Sequence, residues 1–440
     1  MCLPKTESRE DVDGVSGRRN NYFLCILNGM FARLGMNLSH PSLVLSVFVR
    51  ALGGSNALIG LLPAIRFGGW FLPQFLVAGW IQPRPRKVPV AVVLEIGRVF
   101  IYAALVVLTY TLGLSHPRLL LFIFFASFTV SRLITGAGAL ARIDVIGKVI
   151  PSSRRGSFFA IRNFWGGVLV FGAGFLVRYL LDSAHGQPFP LNFTLLFGLS
   201  CASFLVAILS FARVRETPDP VQQPRHSLKA QLARAPVLLE KEPPFRRYLL
   251  VRILMNMTRL AEPFYPIFAL DVLGAPPSMV GFYLSAMTFA GIFSNLLWQK
   301  VDRARGTYFT VKASSLLTVL APLLAVALPW LMRVMGFTVE RYGLLPAYLF
   351  TGVFLIAGGS QSGRAIGLLA LLLDVAPDEE RPSYVGLVNT VLGVVSLLPV
   401  FAGALIDQVG FEPIFFTATG LLLLGYLVTL GWKTADAASR

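Results

Sequence analysis

Residues 151–163 run PSSRRGSFFAIRN and residues 377–389 run PDEERPSYVGLVN. Laid side by side without a gap, they pair Pro151 with Pro377, Arg155 with Arg381, Ser157 with Ser383, Phe158 with Tyr384, Ala160 with Gly386 and Asn163 with Asn389. At the same offset Gly167 meets Gly393, and Asp182 and Asp407 close the two apolar stretches within one residue of register. A second correspondence joins Gly60 to Gly281 and Gln74 to Asn295, and brings Pro83-Arg84 near Asp302-Arg303. The chain thus carries a parallel internal repeat. Between apolar segments, such a repeat marks a two-bundle membrane architecture with a site between the bundles near mid-membrane.

The segments around the repeat are long and apolar. Hydrophobic residues make up 55% of the 440 positions and charged residues 14%, against roughly 25% charged in a soluble domain; mean hydropathy is +0.68. Twelve stretches are long enough to cross about 30 Å of hydrocarbon as helix: 22–46, 57–80, 88–112, 119–142, 157–181, 191–212, 248–270, 278–299, 308–332, 344–373, 383–406 and 412–432. Lipid offers no partner to a bare backbone amide, so these are helices or barrel strands. Barrel strands are shorter and alternate in polarity. The expected fold is therefore an all-α membrane protein, twelve transmembrane helices in two six-helix bundles. The tail 1–21 precedes bundle 22–212, the polar stretch 213–247 forms a central loop, and bundle 248–432 precedes the tail 433–440.

The formal charge of +17 would suggest nucleic acid in a soluble protein, but its placement says otherwise. With the N-terminus inside, the inner tails and loops hold 24 Lys and Arg residues. The outer loops hold four: Arg50, Arg118, Arg333 and Arg341. That asymmetry predicts both termini in the cytoplasm, in a cell (inner) membrane, and no nucleic-acid partner. The polar first 20 residues and the long block after them do not read as a cleavable signal. Cys2, Cys25 and Cys201 show no disulfide or metal spacing. The four histidines are dispersed and no nucleophile cluster appears, so no cofactor, metal or enzymatic activity is expected.

Several motifs resemble those of the major facilitator superfamily, over nearly the whole chain. The family signature between helices 2 and 3 is G-x-L-A-D-R-x-G-R. The first half keeps Gly79, Arg84 and Arg86-Lys87, with Pro83 where the Asp belongs; the second half keeps Asp302-Arg303 and Gly306. Asp374, Pro377 and Arg381 resemble the family's inner loop, and Lys148 stands where Asp374 has its first-half counterpart. In helix 4, Arg132, Gly136, Gly138 and Ala139 match the R-x-x-x-G-x-G-A of many proton-coupled members. The G-P-x-x-G-G core of drug antiporters is not present in helix 5, where only Gly172 and Gly174 match, so membership of that branch is not supported. The resemblance implies a secondary transporter working by alternating access, with the lipid bilayer and a small-molecule substrate as its partners, a monomeric assembly, and protons as a candidate coupling ion.

Charges inside a membrane helix cost at least ~2.5–3.5 kcal/mol and call for an account. Arg33, Asn37 and His40 share one face of helix 1, at i, i+4 and i+7. In helix 7, Arg259 and Glu262 precede Pro263 and Pro266. Each arginine lies 11 residues past the expected helix start, about 16 Å deep at 1.5 Å per residue, near mid-membrane. The resemblance lines the cavity with helices 1, 4, 7 and 10, and so implies Arg33, Arg132, Arg259 and Arg364 around it. Organic-phosphate exchangers of the superfamily pair arginines on helices 1 and 7, and the arrangement here is similar. Converging guanidiniums suit carboxylate or phosphate, which makes a small organic or phosphorylated anion the expected substrate. The alternative is internal pairing, Arg259 with Glu262 and Arg33 with a carbonyl freed at a helix break. Glu262 is the candidate proton carrier and Arg132 its candidate helper, against a static Arg259–Glu262 pair and a packing role for helix 4. The run from Gly358 to Arg364 marks a place where helix 10 can open onto a cavity, with Gln361 and Arg364 as contacts. Glu95 and Arg98 read as a structural ion pair; Arg66 and Arg162 have no assignment.

At the inner ends, Asp302, Arg303, Asp374 and Arg381 are expected to form a mixed-sign latch, with Asp144 the nearest carboxylate to Arg84, Arg86 and Arg142 in the first half. Residues 225–242 can form an interfacial helix or a flexible linker. Rival functions are efflux of lipophilic drugs, sugar transport and, more remotely, a non-transporting receptor or assembly protein. The last would call for a soluble domain, and no stretch outside the helices exceeds about 35 residues.

Overall fold

A computed structural model of the chain describes residues 9–81, 83–218, 242–336, 339–376 and 381–431. Residues 225–241 of the expected interfacial helix, the repeat residue Pro377 and the side chain of Arg381 lie outside the described residues. Twelve membrane spans follow one another, with no strand among the described residues. Eight described helices are long and apolar enough to cross a membrane by themselves, one of them long enough for two crossings.

Spans 3, 4, 5 and 6 are unbroken: Val88–Leu112, Pro117–Val149, Ser152–Leu180 and Leu191–Ala212. So are span 2 (Asn56–Ile81), span 10 (Leu345–Val375) and span 12 (Phe411–Leu430). Spans 8 and 9 form one helical run, Met279–Val334, bent where Gly306 takes φ +81°, a conformation that favours glycine. Span 1 begins at Arg9, well before the expected start at 22, and does not run unbroken to 46. It stops at Leu38 and restarts as Val44–Ala51. Pro41 is the cause: it has no N–H to donate and disfavours helix at the residue before it. The His40 carbonyl then accepts from the amides of Leu43, Val44 and Leu45, which restarts the chain.

Span 7 is broken more deeply. An α-helix Pro243–Met255 gives way to 3₁₀ turns over Asn256–Leu260 and Glu262–Phe264 before Tyr265–Asp271 resumes. Pro263 and Pro266 each remove a helix donor here. Span 11 breaks once, between Arg381–Val395 and Leu398–Val409, ahead of Pro399.

Among the described residues the broad apolar contact between the halves lies at one end. One apolar cluster, with Phe48, Phe124 and Val177 from the first half and Phe268, Tyr283 and Phe350 from the second, crosses between them at the end away from the basic loops. At the basic end each half keeps a separate cluster, around Val145 and Phe158 in one and Phe245 and Tyr384 in the other. Spans 2 and 11 pack together, as do spans 5 and 8. A Cβ built on Gly60 would lie 2.0 Å from the Pro399 carbonyl, and one on Gly281 would lie 2.2 Å from the Arg178 nitrogen. These two glycines, matched by the repeat, thus each sit where the backbones of the two halves press together.

Polar bonds tie the same end. Arg50 pairs with Asp271. Asp407 accepts the Asn56 side-chain amide at 2.8 Å and, more loosely, the backbone amides of Asn56 and Ala57. Arg178 donates to the Tyr348 hydroxyl at 2.9 Å, and Ser285 Oγ to the Phe171 carbonyl at 2.8 Å. The molecule is closed at this end and parted at the basic end.

Candidate functional site

The break in span 7 builds the centre of the molecule. Ending the helix at Met255 frees backbone carbonyls, and Arg364 of span 10 takes up one of them. Its Nη1 donates to the Met255 carbonyl at 2.8 Å and to Thr258 Oγ1 at 3.2 Å. Span 10 itself does not open at Gly358–Arg364, and its glycines have another use. A Cβ on Gly358 would strike the Met287 carbonyl at 2.1 Å, and one on Gly363 would meet the Trp298 ring, so the small residues let span 10 press onto spans 8 and 9.

A cavity follows at the break, lined by Thr258, Glu262, Ser360, Gln361 and Arg364 among others. Gln361 is exposed although it sits in the middle of a helix deep in the bundle. Glu262 is half-buried and lines the cavity together with Arg364. The expected static pair with Arg259 does not form: among the described residues no ion pair joins them. The helix is interrupted between the two at Ala261 (φ −109°, ψ −41°), where one 3₁₀ turn ends and the next begins, so the register that would have set them side by side is lost. Arg259 instead crosses to the other half, where its guanidinium lies 3.6 Å from the ring centroid of Phe67 on span 2, with Nη1 buried and unpartnered.

The other predicted residues divide between this centre and the first bundle's interior. Arg33 is half-buried on span 1 and donates to the Asn163 carbonyl of span 5 at 3.2 Å; Asn37 donates to the Arg33 carbonyl one turn back. His40 is buried with Nδ1 unpartnered, at the break of span 1. Arg132 was expected at the cavity, yet it is buried inside the first half. It donates to the Tyr102 hydroxyl at 3.2 Å, stacks over Phe128, and backs onto Gly69 of span 2. Tyr102 in turn bonds Ser39 Oγ at 3.1 Å. Helix direction explains the difference: the face with Gly136 and Arg132 packs against span 2, where a Cβ on Gly136 would strike the Gly69 carbonyl. Glu95 does pair with Arg98, and also with Arg142, so one carboxylate is held between a buried and a partly buried guanidinium.

That second bond corrects the expected inner latch. Arg142 is engaged by Glu95, and Asp144 pairs with Lys87 and, at 3.0 Å, with Lys148. Arg84 is exposed and stacks over Trp80 at 3.9 Å. Glu216, missed in the sequence, completes the cluster. It accepts the backbone amides of Lys87 and Val88 at 2.7 and 2.8 Å and pairs with Lys148 at 2.9 Å, capping span 3 from beyond span 6. In the second half no ion pair joins Asp302, Arg303 and Asp374 among the described residues, and Asp302 Oδ1 is buried without a partner. Arg66 also went unassigned by sequence reasoning; the proximity of Phe67 and Arg259 gives it a place that only the fold reveals.

A sequence profile described as Major Facilitator Superfamily matches residues 25–345. The fold is similar to that of a bacterial homologue of the iron transporter ferroportin in its inward-facing state, with TM-score 0.70 at 15% identity over 94% of this chain and 98% of that one. It is also similar to a POT family transporter in complex with a thioalcohol-conjugated peptide (0.69, 11% identity, 95% and 96%) and to a D-xylose-proton symporter (0.64, 13%, 94% and 97%). Among curated relatives, Uncharacterized protein Rv2209 of Mycobacterium tuberculosis and Uncharacterized protein Mb2232 of Mycobacterium bovis are each 24% identical over 206 residues. That match takes in 46% of this chain and spans 38% of the relatives' length.

Proposed function

The chain belongs to the Major Facilitator Superfamily, and from that premise we propose that it carries a small organic anion by alternating access, coupled to protons or in exchange. The observation that carries the reading is the charge at the centre: Glu262 and Arg364 line one cavity, and Arg66 and Arg259 meet at the ring of Phe67 with no ion-pair partner among the described residues. Arg259 has a buried nitrogen with no bond to make inside the protein. Guanidiniums left unpaired in low dielectric favour an anion strongly, since the alternative is a desolvated charge without compensation. Glu262 is the proposed proton carrier, free of an ion pair in this closed-on-one-side state. The wealth of Lys and Arg at the parted end supports a cytoplasmic placement of that end and of both termini, in the cell membrane. The state is then inward-facing.

The same inference leaves a lipophilic-cation or neutral-sugar cargo unsupported, because neither balances the arginines. Thermal unfolding of the purified protein across anions, neutral sugars and lipophilic cations tests the reading. Stabilisation by anions, lost in Arg259→Gln, is the expected result. A response confined to sugars or lipophilic cations would overturn it.

A further inference from the structure

We infer that the first half's ligand for the cargo is Arg66 of span 2, acting with Arg259, and that the cargo is a small dianion of the phosphate monoester or dicarboxylate class. This rests on the anion reading above and sharpens it. Arg33, the residue that the sequence pattern favours, already donates to the Asn163 carbonyl, and its side chain packs against Gly166 of span 5. Arg66 has no such commitment: among the described residues it makes no hydrogen bond or ion pair. It also shares an aromatic ring with its proposed partner. The Phe67 centroid lies 5.6 Å from the guanidinium carbon of Arg66 and 3.6 Å from that of Arg259. The two carbons are therefore at most about 9 Å apart, the sum of those distances.

Within that bound one acidic group can reach both, since charge-assisted N–H···O bonds are about 2.8 Å long and each guanidinium presents a fork. The charge count sets the class. Arg66 and Arg259 meet at one ring, and among the described residues neither has an ion-pair partner, so a dianion matches the two guanidiniums one charge to each. The arrangement also links cargo to motion. Arg66 and Phe67 belong to the first bundle and Arg259 to the second, so an anion gripped by both arginines joins the halves where Arg259 now lies over Phe67.

Binding to purified full-length protein tests this, by calorimetry with succinate and phenyl phosphate as dianions and butyrate as a matched monoanion. Both dianions, or one of them, are expected to bind the wild type more tightly than butyrate. Arg66→Gln is expected to weaken binding ~30-fold or more, as loss of one partner of a desolvated charge pair does, while Arg33→Gln stays within a few-fold of wild type. Arg66→Lys keeps the charge and loses the fork, and serves should the Gln variant not fold; a clear drop in affinity is expected there too. If no anion binds the wild type, the anion reading itself falls. If anions bind but Arg66→Gln or Arg66→Lys retains full affinity, the anion reading survives and Arg66 is not the ligand. Equal affinity for butyrate and the dianions overturns the dianion class.

Discussion

Gly281→Ala is expected to drive the molecule out of the conformation described here without unfolding it. The new Cβ would lie 2.2 Å from the Arg178 nitrogen and 2.3 Å from the Gly174 carbonyl. Both are backbone atoms of span 5, so no side-chain rotation relieves the clash and the two spans must separate. Overpacking of this kind costs about 1–3 kcal/mol. The contact joins the two halves, so the cost falls on the state closed at this end and not on either bundle alone. A shift of that size changes the balance of two states by about 5- to 150-fold. Spin labels on cysteines replacing Ser115 of the first half and Arg341 of the second, both exposed, would read the separation of the ends in a cysteine-free background. The expected result is a longer-distance population in Gly281→Ala. Gly172→Ala, in the same pair of spans but with open space around its Cβ, serves as the control and keeps the parent distribution. A Gly281→Ala protein that folds and gives the parent distribution would refute the steric argument, as would an equal shift in the control.

Three further outcomes follow from the polar interior. Glu95→Gln leaves Arg98 and Arg142 facing each other in the first bundle and is expected to lower stability by ~3–5 kcal/mol, read as melting temperature in detergent; an unchanged melt would mean the pair is solvated. Arg364→Gln strips the donor from the Met255 carbonyl and Thr258, at ~1–3 kcal/mol, and also abolishes anion-dependent stabilisation. Stability lost with the anion response intact would confine Arg364 to a structural role. Glu216→Ala removes the cap from span 3 and the partner of Lys148, and is expected to cost ~1–3 kcal/mol; a neutral melt would show that the cap is replaced by water.

The crossings were legible because hydrocarbon imposes length and apolarity on each segment separately: spans 3 and 6 run as expected from 88 to 112 and from 191 to 212. The repeat was legible too, and it pointed to Gly60 and Gly281 before their shared role in the halves' contact was visible. Partnerships of charged residues were harder to read. Spacing placed Arg259 beside Glu262 on an ideal helix, and the interruption at Ala261 undid that. Arg132 matched a motif, yet the face it shares with Gly136 turned towards span 2 and not the cavity. Glu216 lies 128 residues from the Val88 amide it caps, a separation at which no local pattern carries a signal. Arg66 became meaningful only once span 2 met span 7 across Phe67.

Asp407 has a consequence for the first turn of span 2. A helix start has amides with no intrahelical acceptor; here Asp407 of the opposite half takes those of Asn56 and Ala57, and Ser55 Oγ that of Leu58. When the halves part at this end, the carboxylate leaves with span 11, and two of those amides turn to water. Deuterium uptake at Asn56 and Ala57 should therefore be slow while this end is shut and fast once it opens. The helix start thus serves as a native clock of the cycle, one that needs no label and no added cysteine.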